Sequence, residues 1–380
     1  YAAMKVNKRN PNGVMIVAPS DAWIEDEKAF MHNVITCFNA AQKADNILTL
    51  GIVPTFPNTG YGYIQYDKDD NTNIKKVNQF REKPDYDTAK EFLKQGNFLW
   101  NAGIFIWSTQ TVLTAYKTYQ PVMYELFEKG KATYNTENEV DFIATSFTRG
   151  PADILSIRKV LEEENGNNIH IIAKIENQEG VDAIDKILEV ADGIMVARGD
   201  LGIEIPPEEI PLVQKMIIRK TLRASKPAIT ATQMLESMTH NPRPTRAEVT
   251  DVANAIFDGT SAIMLSGETA AGKYPVETVK MMHRIAVTTE NSLNYDKIMG
   301  AVAREHSLTI TNAIAHATCS MALEMNAQVI VTATSSGETP RALSKYKPKA
   351  PIVAVTPYEA TARRLSLNWG VYPIVTSYFK

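Results

Sequence analysis

Cysteine is scarce in this chain, and its scarcity limits the chemistry that the sequence can support. Only Cys37 and Cys319 occur among 380 residues, and their separation matches neither a zinc-binding nor a redox spacing. A structural zinc site or a dithiol active site is therefore not expected. Few cysteines also favour a reducing environment, so the sequence predicts a cytoplasmic location.

Long apolar runs and a surplus of positive charge are missing as well. No apolar stretch approaches the roughly 20 residues that a membrane helix requires, and the amino terminus lacks a basic stretch followed by an apolar one. Lysine and arginine (40) nearly balance aspartate and glutamate (43), which gives a formal net charge of −3. Without a basic field to attract nucleic acid or an anionic membrane, small molecules are the expected partners.

What the chain does contain is an ordinary globular composition, with 44% hydrophobic and 22% charged residues. Its length predicts about two or three domains. The first residue is Tyr1 rather than Met, which we interpret as a start inside a longer protein. The sequence leaves the oligomeric state open, with a homo-oligomer among the alternatives.

The spacing of apolar residues changes near residues 138–141, which we interpret as a seam between two regions. Before the seam, strands and helices predict an open α/β sheet, with one long helix over 109–129. After it, regular alternation predicts a parallel barrel or doubly wound sheet, with a helix over 207–224, and a third α/β unit follows residue 307. The strands predicted after the seam are 141–147, 169–175, 193–196, 228–232 and 262–265.

Polar residues before the seam follow predicted strands. Asp21 comes just after the strand 14–18, at the end where α/β sheets place ligands, although Pro-Ser-Asp also makes an ordinary turn or helix cap. Gly62 permits close ligand approach. Glu82, Lys83 and Asn101 offer partners for hydroxyl and phosphate groups.

Around these residues the first region resembles the middle of a mannose-1-phosphate guanylyltransferase. The resemblance implies guanylyl transfer from GTP to mannose 1-phosphate with release of pyrophosphate. It also implies that Asp21 ligates Mg²⁺ and that Lys83 neutralises phosphate. Gly62 and Glu82 would contact the sugar, and Asn101 would bind its hydroxyls. The family's nucleotide-binding loop and its second metal-binding aspartate are absent, so we expect part of a sugar pocket without nucleotide activation.

Charged side chains also follow the strands after the seam. Lys174 and Glu176 are two residues apart at the end of one strand, so both leave it on the same side, and Asp200 ends the next. Two carboxylates at adjacent strand ends make a site suited to Mg²⁺ or Mn²⁺. A lysine beside them would stabilise charge on a phosphoryl group or an enolate. The alternative is a structural salt-bridge cluster at the rim of a barrel.

Through the strings 172–177, 195–200 and 230–237, the chain from about residue 140 resembles the second half of a pyruvate kinase. That family transfers a phosphoryl group from phosphoenolpyruvate to ADP in glycolysis and requires Mg²⁺ and usually K⁺. The resemblance implies that Lys174 and Thr232 are catalytic, with Thr232 on the side from which the proton is delivered. It implies that Glu176 and Asp200 are ligands of Mg²⁺. It also implies that Arg198 and Gly199 bind the substrate.

A polar loop in the third unit also matches the pyruvate kinase family. In many members the corresponding loop binds a phosphorylated effector, and hydroxyls with a glycine suit a phosphate. A solvated serine-rich turn is the alternative. The effector-loop residues are Thr334, Ser335, Ser336, Gly337 and Thr339.

Neither resemblance covers a whole enzyme. A closed (β/α)₈ barrel needs eight strands and about 250 residues, whereas we predict five strands between residues 140 and 266. The arginine that binds phosphate, most K⁺ ligands and the lid domain of the family are not recognisable. We therefore predict an α/β chain in three parts: a nucleotidyltransferase-like open sheet (1–139), a partial TIM (β/α)₈-type barrel (140–300) and a partial α/β C-terminal domain (301–380).

Three functional hypotheses follow. The first is an impaired pyruvate-kinase-type phosphotransferase, and the second is a mannose-1-phosphate guanylyltransferase. The third is an inactive chimera, or two joined proteins, that retains only binding capacity.

A peptide map tests whether the seam joins one polypeptide. If the two regions are fused, proteolysis and mass spectrometry will recover a peptide that spans residues 136–145. Complete coverage on both sides without such a peptide would indicate two separate polypeptides.

Overall fold

The computed structural model describes residues 2–19, 24–68, 72–130, 140–305 and 309–377. The chain divides into two compact units, residues 1–134 and 135–380. The predicted boundary after residue 139 stays a prediction, since residues 131–139 lie outside the described ranges. No helix within those ranges is long and apolar enough to cross a membrane.

The first unit is built on one antiparallel sheet. Its elements are α1 (Ala2–Arg9), β1 (Val14–Val17), α2 (Glu27–Lys43), β2 (Ile47–Ile52), β3 (Tyr63–Tyr66), β4 (Val77–Arg81), α3 (Tyr86–Gln95), β5 (Phe98–Ser108), α4 (Thr109–Tyr119) and α5 (Pro121–Gly130). Strand β5 pairs with β2 along one edge and with β1 and β3 along the other, and β4 extends the sheet beyond β3. The long strand β5 is therefore the centre of this unit.

The helix predicted over 109–129 is wrong in one respect, because the structure divides it into α4 and α5. The break falls at Gln120, which has φ −137° and ψ 57° and precedes Pro121. A proline ring clashes with the backbone of the preceding residue in the helical conformation, so the helix ends there.

Strand β4 and helix α3 were not predicted, although the sequence carries signals for the helix. The side chain of Asp85 accepts a hydrogen bond from the Thr88 amide at the start of α3, and Gly96 ends it with φ +66°. An aspartate before and a glycine after an amphipathic stretch are typical helix boundaries.

The second unit contains two parallel sheets. Its elements are β6 (Phe142–Thr145), α6 (Pro151–Glu163), β7 (His170–Ile175), α7 (Gln178–Asp182), α8 (Ile184–Val190), β8 (Gly193–Ala197), α9 (Arg198–Glu204), α10 (Ile210–Arg223), β9 (Ala228–Ala231), a 3₁₀ helix (Glu236–Thr239), α11 (Arg246–Phe257), β10 (Ala262–Met264), α12 (Gly267–Ala270), α13 (Pro275–Asn291), α14 (Tyr295–Glu305), α15 (Ile310–Glu324), β11 (Ile330–Ala333), α16 (Glu338–Ser344), β12 (Ile352–Thr356), α17 (Glu359–Leu365) and β13 (Val371–Val375).

The larger sheet is a five-stranded wall, β6 to β10, in chain order and with every pair parallel. Helices connect successive strands, as in a segment of a (β/α)₈ barrel. Strands β11, β12 and β13 form a second parallel sheet, also in chain order. The predicted α/β class is confirmed.

Side chains of β7 alternate between the two faces of the wall. Ile171 and Ile175 pack with the helices that cover one face, while Ile172 packs with Ile229 on the other. Because side chains of a strand point alternately to opposite faces, Lys174 shares the face of Ile172.

The helix predicted over 207–224 begins later, at Ile210. The reason is Pro211, which has no amide hydrogen and is tolerated only in the first turn of a helix. A helix that began at Pro207 would place Pro211 beyond the first turn, where its missing amide would leave the Pro207 carbonyl without an intrahelical hydrogen bond.

The C-terminal part of this unit is joined to the wall through buried lysines. Lys345 Nζ donates to the Arg223 carbonyl (3.1 Å), and Lys347 Nζ donates to the Thr260 carbonyl (3.0 Å). Burial lowers the pKa of Lys347 to about 7. Arg223 and Thr260 precede β9 and β10, so these contacts lie at the amino edge of the wall.

A carboxylate also anchors that amino edge. One oxygen of Asp192 accepts hydrogen bonds from Arg158 (2.8 Å) and from the Ile171 amide (2.8 Å). Burial by itself would raise the pKa of Asp192, but these two hydrogen bonds lower it overall. Since the folded pKa is lowered, the ionised group stabilises the fold above its unfolded pKa, and this stabilisation is lost as pH falls through the folded pKa.

We expect Asp192→Asn to destabilise the second unit at pH 7 by about 1–3 kcal/mol, because a half-buried, charge-assisted hydrogen bond from Arg158 is lost. The measurement is hydrogen exchange of the Ile171 amide, together with urea denaturation. The difference from the wild type should shrink on acidification. Asp185→Asn is the matched control, since Asp185 pairs with Lys220 but is 72% exposed and such pairs contribute at most about 1 kcal/mol. Equal effects of the two substitutions would contradict the prediction.

Candidate active site

The carboxyl ends of the wall strands bring together a lysine and a buried carboxylate. Lys174 Nζ lies 2.5 Å from Glu176 Oε1, and the two side chains are 22% and 0% exposed. Lys174 also donates to Ser146 Oγ at 3.1 Å, while the Phe147 amide donates to Glu176 Oε2. Residues after β6 therefore hold the charged pair at the carboxyl end of β7.

A second cluster joins the ends of β8 and β9. Arg198 is 7% exposed, and its guanidinium donates to Asp251 Oδ1 (2.7 Å) and to the Thr232 carbonyl (2.7 Å). The Gly199 amide donates to Thr232 Oγ1 at 2.8 Å. The Gly199 amide and both terminal nitrogens of the Arg198 guanidinium are thus engaged with protein atoms, while Arg198 Nε is buried without a hydrogen bond.

Two residues after β9 adopt unusual backbone conformations. Thr232 has φ +70° and Gln233 has φ +53°, in the left-handed region that a β-branched residue rarely adopts. Such positions cost on the order of 1–3 kcal/mol and persist where the surrounding contacts enforce them. The contacts of Thr232 with Arg198 and Gly199 supply that constraint.

Buried Glu268 connects the ends of β9 and β10. Its two oxygens accept hydrogen bonds from the amides of Leu235 (3.1 Å) and Ser266 (2.7 Å), and its side chain is fully buried. A carboxylate that holds two loop amides in this way fixes both loops relative to the strands.

The loop after the 3₁₀ helix is held by Glu248. Its carboxylate accepts from the amide and hydroxyl of Ser237 and of Thr245. Burial by itself would raise the pKa of Glu248, but these hydrogen bonds lower it overall. The loop that contains the prolines 242 and 244 is therefore anchored at both ends.

The donor set at the strand ends is compatible with a divalent cation. Glu176 Oε1 is buried and has no hydrogen bond of good geometry, although the Lys174 ammonium is close. Asp200 lies in the first turn of α9, directly after β8. Within the described ranges no three His, Cys, Asp or Glu residues cluster as a metal site. One or two carboxylates, with water and substrate oxygens, are nevertheless the usual Mg²⁺ environment.

In the first unit the structure brings together three predicted residues. The Asn101 amide donates to the Gly62 carbonyl at 2.8 Å, and a Cβ added to Gly62 would lie 2.8 Å from Glu82 Oε2 and 3.6 Å from the Asn101 Cβ. Lys83 follows with φ +41° and is exposed. Asp21 lies outside the described residues.

The predicted effector loop forms hydrogen bonds both to β12 and α17 and within itself. The Gly337 amide donates to Thr334 Oγ1 (2.9 Å), and the Glu338 amide donates to Ser336 Oγ (3.3 Å). Gly337 has φ +81° at the start of α16. The two amides that open this helix therefore already have partners.

Three residues of the strand-end network received no role from the sequence. Ser146 follows β6, so the rule that functional residues lie at the carboxyl ends of strands could have identified it. The same rule applies to Glu268, which lies in the polar stretch after the carboxyl end of β10. Asp251 lies inside α11, 53 residues from its partner Arg198, and no local pattern marks it.

The parallel wall and its polar carboxyl edge define the second unit as part of an α/β barrel of the kind that carries active sites at that edge. Comparison with protein families agrees. Residues 120–279 match the pyruvate kinase barrel domain and residues 312–379 the pyruvate kinase alpha/beta domain. Residues 1–147 match the nucleotidyl transferase family. The matches overlap over 120–147, where the two units meet along the chain.

Individual relatives support the same assignment. The chain is 54% identical over 252 residues to a pyruvate kinase of Clostridium acetobutylicum, covering 66% of this chain and 53% of that protein. It is 61% identical over 239 residues to one of Bacillus licheniformis (63% and 41%). With one of Geobacillus stearothermophilus the identity is 58% over 247 residues (64% and 42%).

The later part of the chain therefore carries barrel and alpha/beta domains of the pyruvate kinase family, preceded by a segment similar to nucleotidyl transferases. The chain spans about half, or less, of the length of these curated relatives.

Replacement of Thr232 tests the link between the ends of β8 and β9. Thr232→Val keeps the side-chain shape but leaves the Gly199 amide without its acceptor, so we expect a loss of about 1–3 kcal/mol of local stability. Hydrogen exchange of the Gly199 amide measures it. Thr232→Ser keeps the hydroxyl and should keep most of the protection. Equal exchange in both variants would show that the hydroxyl does not hold this amide.

Proposed function

We propose that the second unit carries a pyruvate-kinase-type phosphotransfer site at the carboxyl edge of its wall. The observation that carries the proposal is the Lys174–Glu176 pair, held at the ends of β6 and β7, in a region 54–61% identical to pyruvate kinases. The reaction would convert phosphoenolpyruvate and ADP into pyruvate and ATP.

Lys174 would stabilise the transferring phosphoryl group. In this reaction the bond between phosphorus and the enol oxygen breaks, and a bond from an ADP phosphate oxygen to phosphorus forms. Negative charge spreads over the phosphoryl oxygens, so a fixed ammonium with little water around it lowers the barrier. The 22% exposure of Lys174 leaves the ammonium accessible from the open edge.

Glu176 and Asp200 would hold Mg²⁺. When bound, the cation would neutralise charge on the substrate oxygens. Glu176 is suited to this role because its buried Oε1 lacks a well-oriented hydrogen bond. K⁺ is expected of the family, but most of its ligands were not recognised in the sequence.

Thr232 would act where the enolate carbon takes up a proton to give pyruvate. Its hydroxyl donates to the Ala231 carbonyl (2.5 Å) and accepts from the Gly199 amide. Arg198 would fix the loop that supports the substrate carboxylate. The Gly199 amide would bind that carboxylate in place of the Thr232 hydroxyl, to which it donates in this structure. Because both engage Thr232, they would act as a unit with it.

We further propose that turnover is strongly impaired. The wall has five described strands where a closed barrel has eight. Positioning of reactants supplies on the order of 7–11 kcal/mol in an efficient enzyme. A site without the phosphate-binding and lid parts would lose much of this contribution.

A coupled assay for pyruvate tests the proposal. We expect turnover below about 0.1 s⁻¹, a hundredfold under the typical median near 10 s⁻¹, and a fall to background in Lys174→Met. Lys186→Met is the matched control, because Lys186 is exposed on α8 and should leave the rate unchanged. Turnover that survives Lys174→Met would contradict the assigned site. Fast turnover lost in that variant would support the site and contradict the impairment.

The first unit supports a second candidate function, sugar 1-phosphate guanylyl transfer. The observation in its favour is the convergence of Gly62, Glu82 and Asn101. Release of pyrophosphate from GTP and mannose 1-phosphate, reduced by Glu82→Gln, would support it. Absence of both reactions, with binding of phosphoenolpyruvate retained, would support an inactive chimera.

A further inference from the structure

A cavity of about 580 Å³ lies within the second unit, between the amino edge of the wall and the C-terminal part. The wall supplies residues that begin or precede β6 to β9, and the C-terminal part supplies residues of α15, α16 and α17. It lies at the opposite edge from the Lys174 site, since parallel strands have all their amino ends on one side.

Two arginines of the cavity have almost no protein partners. Arg341 makes no hydrogen bond or ion pair with any residue that the structure describes. Arg364 approaches Asp141 at 3.9 Å, but Asp141 is already bound by Arg363 at 2.7 and 3.2 Å. The Nε of Arg364 is buried without a hydrogen bond. Both guanidinium groups therefore retain hydrogen-bond donors.

The other charged groups of the cavity do not neutralise these arginines. Asp192 is held by Arg158, and Lys226 donates to the carbonyls of Leu188 (2.5 Å) and Ala191 (2.6 Å). The remaining acid that lines the cavity is Glu338, an exposed side chain with no described ion pair.

The electrostatic effects of these groups agree with that arrangement. Burial lowers the pKa of His170 and favours its neutral form, against the opposing effect of nearby Asp192. Burial also lowers the pKa of Arg341, with Glu338 and Asp192 opposing it and Arg364 adding to it. Two like charges thus face one cavity.

We propose that this cavity binds a small phosphate monoester. A phosphate monoester carries a charge of about −1.5 to −2 and three acceptor oxygens, which matches two guanidinium forks. A single carboxylate would leave one arginine without a partner. Ser225, Thr311 and Asn368 also line the cavity, and their side chains make no described hydrogen bond, so they suit a polar organic group on the ester.

The proposed ligand site differs from the predicted effector loop. In that loop the amides of Gly337 and Glu338 already receive hydroxyl partners from the loop itself. The donors without partners belong instead to Arg341, in the following helix α16, and to Arg364 in α17. Arg341 and Arg364, and not the amides of the loop, would therefore recognise the phosphate group.

Calorimetric titration of the full chain tests the proposal. The probes are inorganic phosphate, glycerol 3-phosphate, neutral glycerol and the dicarboxylate succinate. We expect saturable binding of glycerol 3-phosphate, weaker binding of phosphate, and none of glycerol. Each of Arg341→Gln and Arg364→Gln should weaken binding about tenfold or more, since each removes a charge-assisted hydrogen-bond donor. Arg284→Gln, an exposed arginine outside the cavity, should bind as the wild type does.

Arg341→Gln is the decisive variant, because Arg341 contacts no described charged partner and its loss should leave the fold intact by circular dichroism. Retained affinity in this variant would overturn the proposal, as would equal weakening in Arg284→Gln. Tighter binding of succinate than of glycerol 3-phosphate would overturn the assignment to phosphate monoesters. Protection of the Ser225 and Thr311 amides from hydrogen exchange by glycerol 3-phosphate would support the location.

Discussion

Parallel pairing of β6 to β10 aligns five strand ends along one edge, and the candidate site depends on that alignment. Each strand end is then tied to a neighbour by a charged side chain. Glu176 accepts from the Phe147 amide, and Glu268 accepts from the Leu235 amide. Both carboxylates are fully buried. A buried charge is costly unless it is paired and hydrogen-bonded, so these links hold only while the strand ends keep their spacing.

The same constraint orders the lysine of the candidate site. A free lysine side chain samples many rotamers, and ordering it at the moment of binding would oppose the reaction. In this structure Glu176 and Ser146 hold Lys174 before any ligand arrives. An ammonium has three donors, so these two contacts leave one donor of Lys174 without a partner among the described residues. Contacts from neighbouring strand ends thus restrict the Lys174 side chain, so that a ligand would not need to order it.

The sequence was sufficient for those parts of the fold and site that depend on local patterns. Lys174 and Glu176 are two residues apart on one strand, so their common side follows from the pleat alone. The break at Gln120 was missed although Pro121 is a local signal, because the apolar pattern continues across it. Contacts such as Arg198 with Asp251 could not be predicted, since 53 residues separate them and only the packed wall brings α11 beside the end of β8.

The parallel strands of the wall place the amino-edge cavity and the Lys174 site at opposite ends of the same strands. His170 begins β7 and lines the amino-edge cavity, while Lys174 lies four residues further along the same strand. At about 3.3 Å per residue, the two positions are about 13 Å apart. A ligand at the amino edge would contact the start of a strand that carries Lys174 at its other end.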